Sequence, residues 1–335
     1  MQIDPEARIN SKHQMERFAG RVDVLQVTRA VDCFVGANVL LVQQHRGTAF
    51  LHVIVTPDMQ GCRALAHLWA HVRCRSDVHI LPNVTLESIT QLLTAVGPKA
   101  RSKGAAWFLQ QMLKLAAVAN GIEGLAEHVR VMDGETLTLR ALDWFTRAGS
   151  EIFDICGPIT GDGYNSERYG ALYYRLTRQR LVGSPTLIAH GMSMTRQHVR
   201  SLLNALSPPG ETWSTSGWVT HSLRHLCDDA AVTGFSEYYY YASWVLRHSS
   251  AATPALVRLG QETCKRINPW EWRPPLKAPK CTDYNQTGLA NWAATHFGRY
   301  AYIVLENHAS RSLYKPIPMT TTTIGVGVAG GSATA

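Results

Sequence analysis

No run in this sequence is long and apolar enough to cross a bilayer as a helix, which argues against an integral helical membrane protein. The opening stretch, MQIDPEARINSKHQMERF, lacks the apolar centre of a secretory signal. The seven cysteines, Cys33, Cys62, Cys74, Cys156, Cys227, Cys264 and Cys281, contain no Cys-x-x-Cys. Their odd number and wide spacing suit reduced thiols in a cytoplasmic protein better than a disulfide framework. The glycine-rich residues 157–163 (GPITGDG) lack the Gly-Lys-Ser/Thr of a phosphate-cradling loop and read as a turn. His67 and His71 stand four apart, but no glutamate lies between them as a metalloprotease helix requires. His221, His225 and Cys227 cluster without a second ligand pair at zinc-like spacing, so packing or surface roles account for them. There is no internal repeat and no block of lysines or arginines.

What is present is length and dispersed positive charge. A chain of 335 residues buries a sizeable core, as one large or two smaller domains. A net charge of +8 favours anionic ligands: nucleotide diphosphates, nucleic acid, phosphorylated glycans or an acidic membrane surface. Because that charge is spread out, it selects none of them.

Apolar patterning supplies the architecture. Strands are expected at residues 22–28, 50–56, 77–81, 128–132, 151–156 and 300–305, with a strand and turn over 184–195. Helices are expected over 33–45, 61–72, 85–96, 197–206 and 213–229. Residues 265–285, rich in proline and tryptophan, read as irregular. Strands alternating with helices predict an α/β fold with a largely parallel sheet covered on both faces.

The chain is organised around residues 104–145. Trp107, Met112, Leu115 and Val118 recur near helical spacing, with Gln110, Gln111 and Lys114 among them. An apolar strand then ends in Asp133-Gly134-Glu135, two carboxylates in one turn. Ligands of open α/β sheets bind just beyond the carboxyl ends of strands. Two acids there can hold a divalent cation through oxygen, with Lys114 placed to share an anionic ligand. The basic loop GPKARSK (97–103) precedes this helix, and its Lys99, Arg101 and Lys103 either face a diphosphate or are simply solvated.

A second feature is GFSEYYYYASW (234–244). Ser236 can cap a helix whose first turn holds Glu237, where the helix dipole favours the ionised carboxylate. The adjacent Tyr238, Tyr239, Tyr240 and Tyr241 are not all expected to face the core; one or two are candidates to stack on sugar rings. Tyr and Arg interleave over residues 164–180, an amphipathic surface in the simpler reading and a single-strand grip in the other.

The pattern GxxWxxQQxxKL from Gly104, the strand ending in D-x-D/E, T-x-x-L-x-x-L-D-x-F from Thr136, and F-S-E-Y at Phe235 together resemble GT-A-type nucleotide-sugar glycosyltransferases. They are most similar to a family of uncharacterised bacterial, algal or viral glycosyltransferases whose acidic motif usually reads D-A-D-T; here it is D-G-E-T. The resemblance, over about residues 22–308, implies a GT-A-like fold: a Rossmann-like sheet and a helical C-terminal half. Residues 21–318 would form one domain, with a nucleotide-binding half (about 21–160) and an acceptor half (about 161–318). A peripheral lead (1–20) and a disordered low-complexity tail (319–335) flank it.

The same resemblance implies a nucleotide-sugar donor, a hydroxyl acceptor, and Mn²⁺ or Mg²⁺ held by Asp133, Glu135 and a late histidine, His308, with His296 its rival. Gln111, Lys114 and Arg101 would face the donor, and His190 would line the acceptor or metal pocket. Thr28 and Asp32 would lie near the base or ribose; alternatively Asp32 merely caps a helix. Glu237 would be the general base of an inverting displacement, or would only stabilise its helix start. A nucleotide-sugar-binding pseudoenzyme and a basic nucleic-acid-binding protein are the rival readings, the last being the weaker.

Overall fold

The computed structural model describes residues 18–46, 49–98, 104–154, 163–182, 190–214, 216–226, 234–249, 255–258, 264–267 and 286–305. The first half runs β1 (Val22–Val27), α1 (Cys33–Arg46), β2 (His52–Val55), α2 (Met59–Leu68), β3 (Val72–Arg75), α3 (Leu86–Val96), α4 (Ala105–Asn120), β4 (His128–Asp133), β5 (Thr136–Thr138) and β6 (Ile152–Asp154). The second half runs α5 (Gly163–Thr177), β7 (Gly191–Thr195), α6 (Arg196–Leu206), α7 (Gly217–Arg224), α8 (Glu237–His248), β8 (Leu256–Arg258), β9 (Cys264–Ile267), α9 (Gln286–Phe297) and β10 (Tyr302–Leu305).

The α/β expectation holds. A five-stranded sheet has the order β3-β2-β1-β4-β7, with β7 alone antiparallel to its neighbour. Two short sheets, β5-β10-β9 and β6-β8, lie beside it. The strands are apolar on both faces because both are covered. Leu25, Val27, Val53, Val55, Val129 and Val131 pack with residues of α3, α4, α6 and α8. On the opposite face Ile54 packs with Val35 and Val39 of α1 and Leu65 of α2. Among the described residues, no helix is long and apolar enough to cross a membrane.

Helix α4 is the central prop. Eleven of its sixteen residues are buried, so its apolar surface reaches well beyond one stripe. It stops at Gly121, whose left-handed backbone (φ 59°) lets its N–H reach back to the carbonyls of Ala117 and Val118. Helix α3 begins with a reciprocal cap between Thr85 and Ser88.

Three expectations are corrected. Residues 77–81 do not form the third strand: Asp77–His79 is a short 3-10 turn, and Val72–Arg75 pairs with β2 instead. The edge strand VRCR carries its own polar side chains, so its sequence hides its role, while Ile80 and Leu81 reach the core from a turn. Within the stretch expected to be irregular, residues up to 267 pair as β9 with β10; 268–285 lie outside the described residues. Cys62 and Cys74 are not reduced thiols but a disulfide joining α2 to β3, with Cα atoms 5.9 Å apart; Cys33 is disulfide-bonded as well.

Helix α8 gives a fourth correction. All four tyrosines, Tyr238 to Tyr241, are at most 2 % exposed, so none stacks on solvent-borne sugar in this arrangement. Burial on all sides is tolerated because every hydroxyl finds an acceptor. Tyr238 donates to Asp133, Tyr239 to the Val182 carbonyl, Tyr240 to the Tyr169 and Gly234 carbonyls, and Tyr241 to Glu151. Tyr169 and Tyr173 of α5 are also buried while Tyr174 is exposed, in keeping with the amphipathic reading of that helix.

Glu151 accepts from Tyr241 Oη at 2.6 Å and from His198 Nδ1 at 2.7 Å. The bond to Glu151 raises the His198 pKa; burial pushes Glu151 up, but its bonds to His198 and Tyr241 bring it below its ordinary value. The pair therefore stabilises fully between the ordinary values of 4.5 and 6.5, and fades above as His198 deprotonates and below as Glu151 protonates. The melting-temperature gap between wild type and His198→Gln is expected to be wider at pH 6 than at pH 9; calorimetry at both values checks this. The disulfide makes a separate prediction. Replacing Cys62 and Cys74 together with serine should lower unfolding free energy by about 2–4 kcal/mol in non-reducing denaturant titrations.

Candidate functional site

The site is built where β4 ends. Asp133 is in register with Val27, the last residue of β1, so its carboxylate emerges at the carboxyl edge of the sheet, beside α4. Gln110, Gln111 and Lys114 fall on one face of α4 by helical spacing, and that face is turned to the same edge. Gln110 Nε2 donates to the Val27 carbonyl at 3.0 Å and ties the helix to the end of β1.

Lys114 is fully buried, and its ammonium pairs with Asp133 Oδ1 and, at 2.6 Å, with Glu237 Oε1. It also lies 4.5 Å from the centre of the Tyr238 ring, whose hydroxyl donates to Asp133 Oδ1 at 3.0 Å. Gln111, with its amide nitrogen turned to Glu237, donates to that carboxylate. Ser236 caps α8 by accepting from the Tyr239 N–H, which places Glu237 in the first turn, where the helix dipole favours negative charge. Glu237 is 1 % exposed.

His190 approaches from the start of β7. Its Nδ1 lies 2.7 Å from Asp133 Oδ2. Its backbone is left-handed (φ 51°), an uncommon conformation outside glycine, though one in which histidine is enriched. Here the His190 carbonyl accepts from the Asp133 N–H and from the Thr136 hydroxyl, each at 3.0 Å. Asp133, Glu135 and His190 together bring ligand atoms within 4.8 Å of one another, with Glu135 and His190 partly exposed. This oxygen-rich set with one imidazole suits Mn²⁺ or Mg²⁺ rather than a thiolate-seeking metal.

The electrostatics divide the carboxylates. Burial pushes Asp133 up, but the Lys114 ammonium and His190 overturn this and hold it well below the usual range. Burial and then the Asp133 charge raise Glu135. Burial raises Glu237 too, and Lys114 only partly offsets it. Lys114 stays charged: burial disfavours the ammonium, but its two carboxylates outweigh that. Three carboxyl groups thus meet one ammonium and one imidazole at this edge.

Of the residues expected from sequence, Gln111, Lys114, Asp133, Glu135, His190 and Glu237 converge. Thr28 sits against the acidic turn: a Cβ added to Gly134 would come within 2.7 Å of Thr28 Oγ1, so glycine admits this threonine. Asp32 accepts from the N–H groups of Phe34 and Val35 at the start of α1, the arrangement of a helix cap, and burial raises its pKa to about 6. Arg101 and His308 lie outside the described residues. His296 is on α9 with Nδ1 2.8 Å from the Trp292 carbonyl. Two surface hollows, one lined by Arg46, Asp143 and Trp144 and one by Leu68, Trp69 and His71, do not include the acidic turn.

No family model matches the chain, and no curated protein aligns with it. Solved structures do resemble it in outline. An active-site mutant of LgtC superposes with a TM-score of 0.44 at 10 % identity, covering 88 % of this chain and 91 % of that one. The galactosyltransferase LgtC with donor and acceptor sugar analogues gives 0.41 at 10 % identity, with 87 % and 90 % covered. Mouse xyloside xylosyltransferase 1 gives 0.41 at 8 % identity, with 89 % and 100 % covered. Superpositions this loose assign no activity, and the functional reading rests on the side chains.

Sequence reasoning missed Tyr238 as a partner of Asp133, and missed Gln26, which meets the turn from below; a lone glutamine inside the apolar run VDVLQV was the available signal. Removing one member of a buried ion pair strands the other. Lys114→Met is expected to cost about 3–5 kcal/mol in denaturant unfolding, and Glu237→Gln added to it should recover part of the loss.

Proposed function

We propose that the chain is a metal-assisted glycosyltransferase that moves a sugar from a nucleotide-sugar donor to an acceptor hydroxyl. The observation that carries this reading is the meeting of Asp133, Glu135 and His190 at the end of β4, beside a buried, charged Lys114. Asp133 and Glu135, with His190, would hold the cation, which neutralises charge developing on the departing diphosphate. Gln111 and Lys114 face the donor phosphates, and Thr28 with the start of α1 borders the nucleotide.

Lys114 is engaged by Asp133 and Glu237, and an incoming diphosphate competes for the same ammonium. As Lys114 turns to phosphate, Glu237 loses its counter-charge, and a carboxylate with a raised pKa is a better-matched base for a hydroxyl proton. Once the edge opens to admit the substrates, uncovering the buried Glu237, that carboxylate takes the proton, the acceptor oxygen bonds to the anomeric carbon, and the carbon–phosphate oxygen bond breaks to release the nucleoside diphosphate. The configuration inverts in this single displacement. The cytoplasmic expectation rests on reduced thiols, and the Cys62–Cys74 disulfide removes that support.

A panel of nucleotide sugars assayed with Mn²⁺ tests the proposal. Turnover should need the metal, and Asp133→Asn should lower kcat/KM roughly 100-fold or more. Glu237→Gln should abolish transfer to acceptor, by roughly 10²–10⁴-fold, while sparing donor binding. Donor binding without turnover in wild type would point to a sugar-nucleotide-binding pseudoenzyme. Salt-sensitive nucleic-acid binding that survives Asp133→Asn would favour the remaining alternative.

A further inference from the structure

Gln26 is fully buried in β1, on the face covered by α1 and α2. Its Nε2 donates to the Asp133 carbonyl at 3.1 Å and to the Gly134 carbonyl at 3.3 Å. Carbonyl oxygens only accept, so the amide has one workable orientation, and its Oε1 must face the other way. There it meets His52 Nε2 at 3.1 Å. An amide oxygen is an acceptor too, so His52 carries its proton on Nε2. Burial keeps this imidazole neutral, its pKa lowered to about 3. His52 is in register with Val24, which puts it on the same face of the sheet as Gln26.

The two carbonyls belong to the two peptide planes that flank Gly134. Glycine has the widest torsional freedom of any residue, and here it separates the two carboxylate-bearing positions. A bond to each flanking plane removes that freedom. The opposite side of the turn is held by the His190 carbonyl, through the Asp133 N–H and the Thr136 hydroxyl. The separation of the Asp133 and Glu135 side chains is thus fixed from below by a side chain that touches neither carboxylate.

We propose that Gln26, locked in one orientation by His52, is a positioning residue that sets the spacing of Asp133 and Glu135 for a divalent cation. The inference rests on the metal-binding reading above and concerns what makes the acidic turn an effective ligand. Groups behind metal ligands commonly matter by roughly 10- to 100-fold in affinity.

The test is Mn²⁺ alone, titrated calorimetrically into wild type, Gln26→Leu, Gln26→Asn and His52→Leu, with a thermal melt of each protein. Gln26→Leu keeps the volume and removes both donors; Gln26→Asn keeps the amide but shortens its reach, and serves if the leucine variant does not fold. Expected is a cooperative melt with a Kd for Mn²⁺ weakened roughly 10- to 100-fold in the Gln26 variants. A smaller weakening is expected in His52→Leu, where Gln26 keeps its carbonyls but loses its lock. A purely structural role would lower the melting temperature and leave the Kd unchanged, which overturns the inference while the metal reading stands. Absence of Mn²⁺ binding in wild type overturns both.

Discussion

A buried ammonium is the constraint around which this protein is arranged. Transferring a lysine head group from water to a protein interior costs several kcal/mol unless opposite charges receive it. Lys114 meets that cost with Asp133 from the end of β4 and Glu237 from the start of α8, two elements more than a hundred residues apart in sequence. Its own helix is buried around most of its circumference, so the ammonium cannot swing out to solvent as a surface lysine does. The three elements are therefore fixed relative to one another by charge as well as by packing, at the sheet edge where α/β proteins bind ligands.

Helix α8 shows the same economy in neutral groups. Four consecutive tyrosines would be a poor interior helix if packing were the only criterion, since each buries a hydroxyl. Each of those hydroxyls instead acts as a tie: to the acidic turn, to the Val182 carbonyl, to α5 and the Gly234 carbonyl, and to Glu151. The helix joins the Asp133 carboxylate at one end of β4 to the Glu151–His198 pair near the other, because Tyr238 and Tyr241 lie three residues apart on one face. Rigidity of the site is thus a property of a buried polar network, and such networks strengthen a structure only when nearly every member is satisfied.

Much of this was legible from sequence where apolar periodicity is strong. β1, β2, α1, α4 and β4 declare themselves because both faces of the sheet are covered and their runs are correspondingly apolar. The acidic turn could be read from its position after β4, and Glu237 from its place behind a capping serine. The third strand could not: VRCR lies at the sheet edge, so its composition reflects a half-exposed setting. The Cys62–Cys74 bond was hidden because pairing depends on α2 folding back along β3, which spacing alone does not reveal. The tyrosines mislead because four consecutive helical positions point in different directions, whereas α8 is buried on all of those sides. His190 could be proposed only by resemblance, since nothing local marks a left-handed histidine.

The charge distribution explains why the acidic turn is more than a packed corner. Lys114 and His190 together outweigh the burial of Asp133, whereas Lys114 offsets the burial of Glu237 and Glu135 only in part. Selection for stability alone would have replaced such carboxylates with amides or apolar groups, which cost less to bury. Retaining them gathers three carboxyl groups on one edge, with the Gly134 turn held from both sides so that they cannot relax by moving apart. On the proposed metal-binding reading, a cation would meet a geometry that the fold already holds, and little reorganisation would accompany its binding.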